Sequence, residues 1–192
     1  MYRFCKTAPL PTLKVSGEND TLVFATPTER ATVTLSADGN IASVIHADLV
    51  TGSETTIPTA DSHHIVVGAG NWERDVYHYL KPCEQSHLQL RLGITMHRGT
   101  GTWSSLPHDF ENAPEAGFEE VFFYLLEGTT QKAIQVGRGL WEDGASVDEV
   151  WPVSNREFSA VPMGYHPVVG EPGVNVKYVW AYLAKKQAWE KI

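Results

Sequence analysis

Three residues have the side chains and the surroundings expected of metal ligands: His108, Glu120 and His166. Glu120 opens the most apolar stretch of the chain, EVFFYLL, and an unpaired carboxylate buried there would cost several kcal/mol. Imidazole nitrogen and carboxylate oxygen are donors that zinc, manganese and iron take in proteins. The residue types indicate a shared metal site. The alternative is that Glu120 pairs with an arginine, Arg91 or Arg138, and that the histidines are polar surface residues.

The two histidines lie in segments of contrasting character. His108 lies in RGTGTWSSLPHDFENAPEAG, residues 98–117, which is polar throughout and is predicted to be a loop. Loops longer than about 12–15 residues in compact domains tend to carry function. His166 lies in VPMGYHPVV, where a Pro-Gly turn would fix the directions of Tyr165 and His166.

Alternating apolar residues predict the strands that must position these groups. Apolar residues occupy every second position from Leu88 to Met96 and again from Val174 to Tyr182. FEEVFFYLLE, residues 118–127, is apolar on both faces after its acidic start, as is typical of a central strand. The 16 glycines and 11 prolines favour many short strands. We therefore predict an all-β sandwich or jelly roll of roughly eight or more strands, with a short helix in AKKQAWEKI from Ala184 onward.

Composition excludes several classes of partner. Fifteen basic and 23 acidic residues give a net charge of −8, which argues against nucleic acid and against anionic membranes as partners. No apolar run approaches the roughly 18 residues needed to span a bilayer, and the N terminus lacks a signal-peptide core. The only cysteines, Cys5 and Cys83, are far apart, so we expect two free thiols in a cytoplasmic protein.

Two segments, GTGTWSSLPHDFENAPEAGFEEVFFYLL and VPMGYHPVVGEPGVNVKYVWAYLA, resemble the bacterial 5-deoxy-glucuronate isomerases of myo-inositol breakdown. More distantly, they resemble the deoxy-hexosulose-uronate ketol-isomerases that act on pectin products. The similarity runs from about His63 to the C terminus and includes GNWERDVYHYL. These families are cupins, metal-dependent proteins with a double-stranded β-helix, or jelly-roll barrel, that interconvert aldoses and ketoses.

The resemblance implies a metal-binding cupin domain over residues 63–192. The resembled enzymes are longer, two-cupin chains, so residues 1–62 would be a reduced N-terminal β layer derived from a degenerate first cupin. That half would supply packing surface or the interface of a homo-oligomer.

The resemblance also implies a ligand set of His108, Glu120 and His166 for a divalent ion, zinc or manganese, with iron as the alternative. The family pattern after Trp-Ser-Ser is Pro-Pro-His-x-His-Asp, whereas this chain reads LPHDFE from Leu106 to Glu111, so one histidine is missing. Glu111 could replace the lost ligand, with Asp109 as the second choice.

The implied activity is aldose–ketose isomerisation of a small deoxy-uronate sugar such as 5-deoxy-glucuronate. A carboxylate not bound to the metal, Glu111 or Asp109, would move the proton between neighbouring carbons. Sugar hydroxyls would bond to Tyr165, as a further catalytic group, and to Gln135. The substrate carboxylate would pair with a cation, for which the alternating strands offer Arg91 and Lys177.

Two other functions stay open at this point. The missing histidine favours a cupin that binds a metal and a small sugar acid without turnover. A two-histidine, one-carboxylate set is also the iron site of many oxygenases, so the ligand types do not separate that activity from an isomerase.

Overall fold

The computed structural model describes residues 1–104 and 118–184. Within these ranges the chain forms sixteen strands and two short 3-10 helices, Thr59–Asp61 and Gly70–Trp72. The strands in chain order are β1 Phe4–Lys6, β2 Lys14–Glu18, β3 Thr21–Ala25, β4 Glu29–Leu35, β5 Ile41–Asp48, β6 Ser53–Pro58, β7 His63–Val67, β8 Arg74–Leu80, β9 Leu90–Thr100, β10 Glu120–Gly128, β11 Lys132–Leu140, β12 Ser146–Ser154, β13 Phe158–Val161, β14 Met163–Tyr165, β15 Val168–Gly170 and β16 Val174–Leu183. The predicted all-β class is confirmed.

Two sheets enclose the interior of a barrel. A seven-stranded sheet has the order β1-β13-β10-β16-β9-β8-β7, and a smaller sheet consists of β12, β11 and β14, with β15 also paired to β11. Trp151 and Val153 of the smaller sheet share one apolar cluster with Tyr124 and Leu126 of the larger sheet. The inner faces of the two sheets therefore pack on each other, which confirms the predicted jelly-roll architecture.

A third sheet covers the barrel from outside. Strands β2 to β6 form an antiparallel sheet in chain order, and its Phe24 and Val33 lie in one buried cluster with Leu92 and Phe123 of the seven-stranded sheet. Strand β1 instead joins the large sheet, parallel to β13. The N-terminal β layer is thus a five-stranded sheet, and its origin as a degenerate first cupin stays a prediction.

Strand β10 separates the two apolar layers. Val121 and Phe123 point outward into the cluster shared with the N-terminal sheet, whereas Phe122 and Tyr124 point into the barrel. Because successive side chains of a strand alternate between its faces, Glu120 at the head of the strand shares the interior face. The sequence prediction of a strand buried on both faces is confirmed.

Strand β9 also buries both faces. Leu90, Leu92 and Ile94 lie in the outer apolar layer, as the alternation predicts, while Leu88 precedes the strand. On the interior face, Gly93 leaves room for the indole of Trp180, since a Cβ at position 93 would lie 2.2 Å from Trp180 Cζ2.

Three further predictions concern the C-terminal helix, the two cysteines and membrane-spanning segments. The predicted C-terminal helix falls on residues 185–192, which lie outside the described residues, and Ala184 is irregular. Cys5 and Cys83 are free thiols, as predicted. In the described ranges, no helix has the length and apolar character required to cross a membrane.

Candidate functional site

Glu120 reaches the barrel interior because it is the first residue of β10. Its backbone pairs with Val161 on one side and with Tyr182 on the other, and its residue surface is 3% exposed. The preceding residue, Glu119, points the other way and accepts hydrogen bonds from the backbone N–H groups of Thr12 and Leu13. The two neighbouring carboxylates therefore have separate roles, one in the interior and one as an anchor for the N-terminal segment.

His166 is positioned by a buried glutamine. The Gln135 amide nitrogen donates to His166 O at 2.6 Å and to Pro167 O at 3.0 Å, and the Gln135 Oε1 atom accepts from the Tyr124 hydroxyl at 2.7 Å. Gln135 is fully buried and His166 is 3% exposed. The His166 ring packs against Phe122 with 5.7 Å between ring centroids. The turn that carries His166 is thereby fixed to strands β10 and β11.

Glu120 and His166 converge. Glu120 Oε2 lies 3.7 Å from His166 Nε2, and the two side chains are 3% and 2% exposed. Two ligands of a tetrahedral ion with bonds of about 2.1 Å lie roughly 3.4 Å apart. The separation of these two atoms, their burial and their donor types therefore fit a divalent metal ion.

The remaining predicted ligand and both predicted proton-transfer carboxylates fall on residues 105–117. His108, Asp109 and Glu111 lie outside the described residues. Among residues 1–104 and 118–184, no group of three or more histidine, cysteine, aspartate or glutamate side chains could hold a metal ion. The described part of the site is thus the Glu120–His166 pair.

Arg91 shares the interior face with this pair. It lies opposite Tyr182, which in turn lies opposite Glu120, so two interstrand spacings, roughly 10 Å, separate the backbones of Arg91 and Glu120. The residue is 2% exposed, and its Nη1 donates to the carbonyls of Leu88 and Leu90. The structure thus places this predicted cation in the barrel, with part of its guanidinium committed to β9 and its approach.

Two other predicted site residues, Lys177 and Tyr165, are not brought to the pair, and a third, Gln135, contacts it through the backbone carbonyl of His166. Lys177 lies on the outer face of β16, where its ammonium donates to Asp38 O and Glu127 Oε1. Tyr165 lies opposite the exposed Arg138 of β11, and residues directly opposite in an antiparallel pair share a face, so Tyr165 belongs to the outer face of the smaller sheet. Gln135 is in the interior, but its amide is committed to the fold as described above.

Sequence reasoning missed three interior residues that we call the arginine group: Arg74 of β8, His97 of β9 and Tyr178 of β16. Arg74 lies opposite His97, and the His97 and Tyr178 rings are 6.3 Å apart. All three are at least nine-tenths buried. Tyr178 stacks on Phe122 at 4.5 Å, which links the arginine group to the His166 ring on the other side of Phe122.

Burial and charge set the protonation states in the arginine group. Burial, followed by the positive charge of Arg74, lowers the pKa of His97 to about 4, so its imidazole is neutral at pH 7. Burial raises the pKa of the Tyr178 hydroxyl, and the charge of Arg74 acts against that rise. In the sequence, these residues can be recognised only by their place on one face of a strand together with buried residues, as Arg74 shares a face of β8 with Val76. The alternation alone does not show that this face of β8 points into the barrel.

Comparison with known proteins agrees with the fold and identifies the family. The profile of the KduI/IolB family matches residues 15–192. The 5-deoxy-glucuronate isomerase of Geobacillus kaustophilus (strain HTA426) is 31% identical over 138 residues, which cover 70% of this chain and 48% of the relative. The 5-deoxy-glucuronate isomerase of Bacillus subtilis (strain 168) is 30% identical over 122 residues, which cover 62% of this chain and 44% of that relative.

The chain therefore spans about half the length of the curated relatives it matches. Among solved structures, an IolB-like protein from Salmonella typhimurium LT2 superposes with a TM-score of 0.62 over 88% of this chain and 64% of that chain, at 22% identity, and so supports the fold. The family profile covers almost the whole sequence, including both residues of the interior pair. The chain belongs to the KduI/IolB family.

Proposed function

We propose that this chain is a metal-dependent aldose–ketose isomerase that acts on a deoxy-uronate sugar such as 5-deoxy-glucuronate. The observation that carries the proposal is the convergence of Glu120 Oε2 and His166 Nε2, 3.7 Å apart in the barrel interior. The name of the matched relatives supports the substrate class. Because the chain covers about half of those relatives, the proposal rests on this site as well as on their name.

Glu120 and His166, with His108 from the 105–117 segment, would hold the divalent ion, which we expect to be zinc or manganese, with iron as the alternative. Bound there, the ion would act as a Lewis acid on the sugar carbonyl and the neighbouring hydroxyl. The two described side chains are 3% and 2% exposed. Their burial keeps bulk water from the reacting carbons and strengthens each electrostatic contact in the interior.

The chain's own residues would handle the protons. A carboxylate of the 105–117 segment, Glu111 or Asp109, would take the proton from one carbon and return it to the next. Tyr178 is the hydroxyl that we assign to the sugar in place of Tyr165. Burial raises the pKa of Tyr178, so its hydroxyl hydrogen stays in place at neutral pH and can be donated to a sugar oxygen.

The test joins metal analysis to turnover. The purified protein should contain close to one divalent ion per chain. It should also convert 5-deoxy-glucuronate to its ketose, and NMR spectra should show this conversion as a loss of the aldehyde signal. His166→Gln should lose most of the metal and the turnover, because it removes one of the two converging donors. The control is His64→Gln, on the outer face of β7, where the imidazole bonds to Asp75.

A specific observation supports one competing function. The loop motif has one histidine where the resembled isomerases have two, which favours a cupin that binds metal and a sugar acid without turnover. A metal-loaded protein that binds 5-deoxy-glucuronate and leaves it unchanged would establish that function and refute the isomerase.

A further inference from the structure

Arg74 is a buried cation that forms no ion pair with a carboxylate of residues 1–104 and 118–184. The residue is 8% exposed, its Nη1 donates to Trp72 O at 3.1 Å, and its guanidinium lies over the Trp72 ring at 6.0 Å. Among the residues that the structure describes, no aspartate or glutamate forms an ion pair with it, although Arg3, Arg98, Arg138 and Arg156 each have one. A buried charge is costly unless it is paired, so this position calls for an anion.

His97 adds a second polar group beside Arg74. Its Nδ1 shares a 2.7 Å hydrogen bond with the Thr102 hydroxyl, and its buried Nε2 has no hydrogen-bond partner within residues 1–104 and 118–184. When the Thr102 hydroxyl donates to Nδ1, the hydrogen of the neutral ring is on Nε2 and is available to an acceptor. Arg74 and His97 can therefore present N–H donors to the same anion from neighbouring strands.

The position of these donors relative to the Glu120–His166 pair suggests which anion. A continuous row of rings runs from His97 to Tyr178 at 6.3 Å, to Phe122 at 4.5 Å and to His166 at 5.7 Å. The arginine group and the pair thus lie in one interior, on either side of Phe122. A uronate sugar carries its aldehyde and its carboxylate at opposite ends of the carbon chain, so one sugar acid has a group for each of the two centres.

We propose that Arg74, assisted by His97, binds the carboxylate of the sugar acid and makes the barrel selective for uronates over neutral sugars. The inference rests on the proposed function for the identity of the substrate class. Lys177, on the outer face of β16, bonds to Asp38 O and Glu127. Arg91 has Nη1 committed to two carbonyls. Arg74 has a guanidinium fork that suits a carboxylate in a bidentate contact.

The experiment measures the preference for charge directly. Calorimetric titration of the metal-loaded protein compares D-glucuronate with D-glucuronamide, which has the same shape and no carboxylate. The wild type should bind glucuronate roughly 10- to 100-fold more tightly, as expected for hydrogen bonds to a charged group. Arg74→Gln should abolish that preference and leave the affinity for glucuronamide within about twofold. The control is Arg138→Gln, an exposed arginine on the outer face that pairs with Asp148.

The binding measurements can support or overturn the assignment of Arg74. Equal binding of the two probes by the wild type, or an unchanged preference in Arg74→Gln, would overturn the assignment. If Arg74→Gln does not fold, Arg74→Lys keeps the buried charge but loses the planar fork, and a preference reduced severalfold supports the assignment while an unchanged preference overturns it.

The isomerase proposal can fail independently. Glu120→Gln should abolish turnover of 5-deoxy-glucuronate and retain the preference for glucuronate, because Arg74 is untouched. A wild type without turnover but with an Arg74-dependent preference would refute the isomerase and keep the carboxylate site. A wild type that turns over 5-deoxy-glucuronate but does not prefer glucuronate to glucuronamide would support the isomerase and refute the carboxylate site.

Discussion

Replacing Gln135 with leucine tests whether one buried amide holds the His166 turn in place. Leucine has a similar volume but no polar atoms, so Gln135→Leu removes the donor to His166 O and the acceptor for the Tyr124 hydroxyl. Pro167 O keeps a second hydrogen bond, from the Val136 N–H group at 2.9 Å. Two buried groups, His166 O and the Tyr124 hydroxyl, therefore lose their hydrogen bond to Gln135. At about 1–3 kcal/mol for each, the free energy of unfolding should fall by about 2–6 kcal/mol.

Urea unfolding monitored by tryptophan fluorescence gives that free energy, and metal analysis of the folded variant gives the effect on His166. We expect Gln135→Leu to be less stable and to hold less metal, since the His166 backbone is no longer fixed to β11. Gln85→Leu, at an exposed position, is the control and should change stability by less than about 0.5 kcal/mol.

A double-mutant cycle with Tyr124→Phe isolates the hydroxyl. In the Tyr124→Phe/Gln135→Leu protein there is no hydroxyl left to desolvate, so the double variant should be about 1–2 kcal/mol more stable than the sum of the single changes predicts. Additive effects, or a loss below about 1 kcal/mol in Gln135→Leu with unchanged metal content, would show that the amide does not position His166.

Three further predictions concern other parts of the sheet. Gly93→Ala would place a Cβ 2.2 Å from Trp180 Cζ2, so the melting temperature should fall by an amount equivalent to about 1–3 kcal/mol or more, and an unchanged value would contradict the close packing. The hydrogen bond from Arg98 is the main cause that lowers the pKa of Asp75 from 3.8 to about 2. The ionised Asp75 therefore stabilises the folded protein above pH 3.8, and this contribution is lost as the pH falls to about 2. Asp75→Asn should therefore destabilise the protein at pH 7 and far less at pH 2 in thermal melts. Burial lowers the pKa of His97 from 6.5 to about 4, so the unfolded chain binds the extra proton between those values and stability falls as the pH decreases through that window. In urea titrations across that range, the free energy of unfolding should depend less steeply on pH in His97→Gln than in the wild type. An identical slope would refute the lowered pKa of His97.

The sequence predicts which residues share a face of a strand, because side chains alternate with a period of two. Leu90, Leu92 and Ile94 form one layer as predicted. The direction of that layer could not be read from the alternation, because both faces of the strand are buried. The leucine face of β9 points outward to the N-terminal sheet, so the polar alternates, Arg91 among them, point into the barrel.

The same ambiguity explains why Lys177 was wrongly expected in the site and why the arginine group was missed. In β16 the apolar alternation that includes Val176 and Tyr178 is the interior face, so Lys177 lies outside. Polar residues between apolar ones are expected to face solvent, and Arg74 and His97 do not follow that expectation. Recognising them requires knowing which face of the β8–β9 pair packs against the smaller sheet, and that depends on residues far along the chain, such as Trp151 and Val153.

Glu120 and His166 could be predicted because the local sequence already restricts them. A carboxylate beside VFFYLL can hardly avoid burial, and the turn before His166 has glycine at position 164, where φ is +113°. That the two residues converge depends on Gln135, whose amide ties the His166 turn to β11. Nothing in the segment KAIQVG distinguishes this glutamine from one that faces solvent.

The N-terminal sheet accounts for how a small barrel tolerates so polar an interior. The largest apolar cluster joins the five-stranded sheet to the outer face of the seven-stranded sheet, through residues such as Phe24, Leu92 and Phe123. Hydrophobic burial there stabilises β9 and β10 from outside. Their inner faces can then carry Arg91 and Glu120, both at most 3% exposed, without being the only source of packing. The apolar layer outside the barrel and the charged groups inside it lie on two faces of the same strands, so packing against the N-terminal sheet allows these strands to carry Arg91 and Glu120 in the interior.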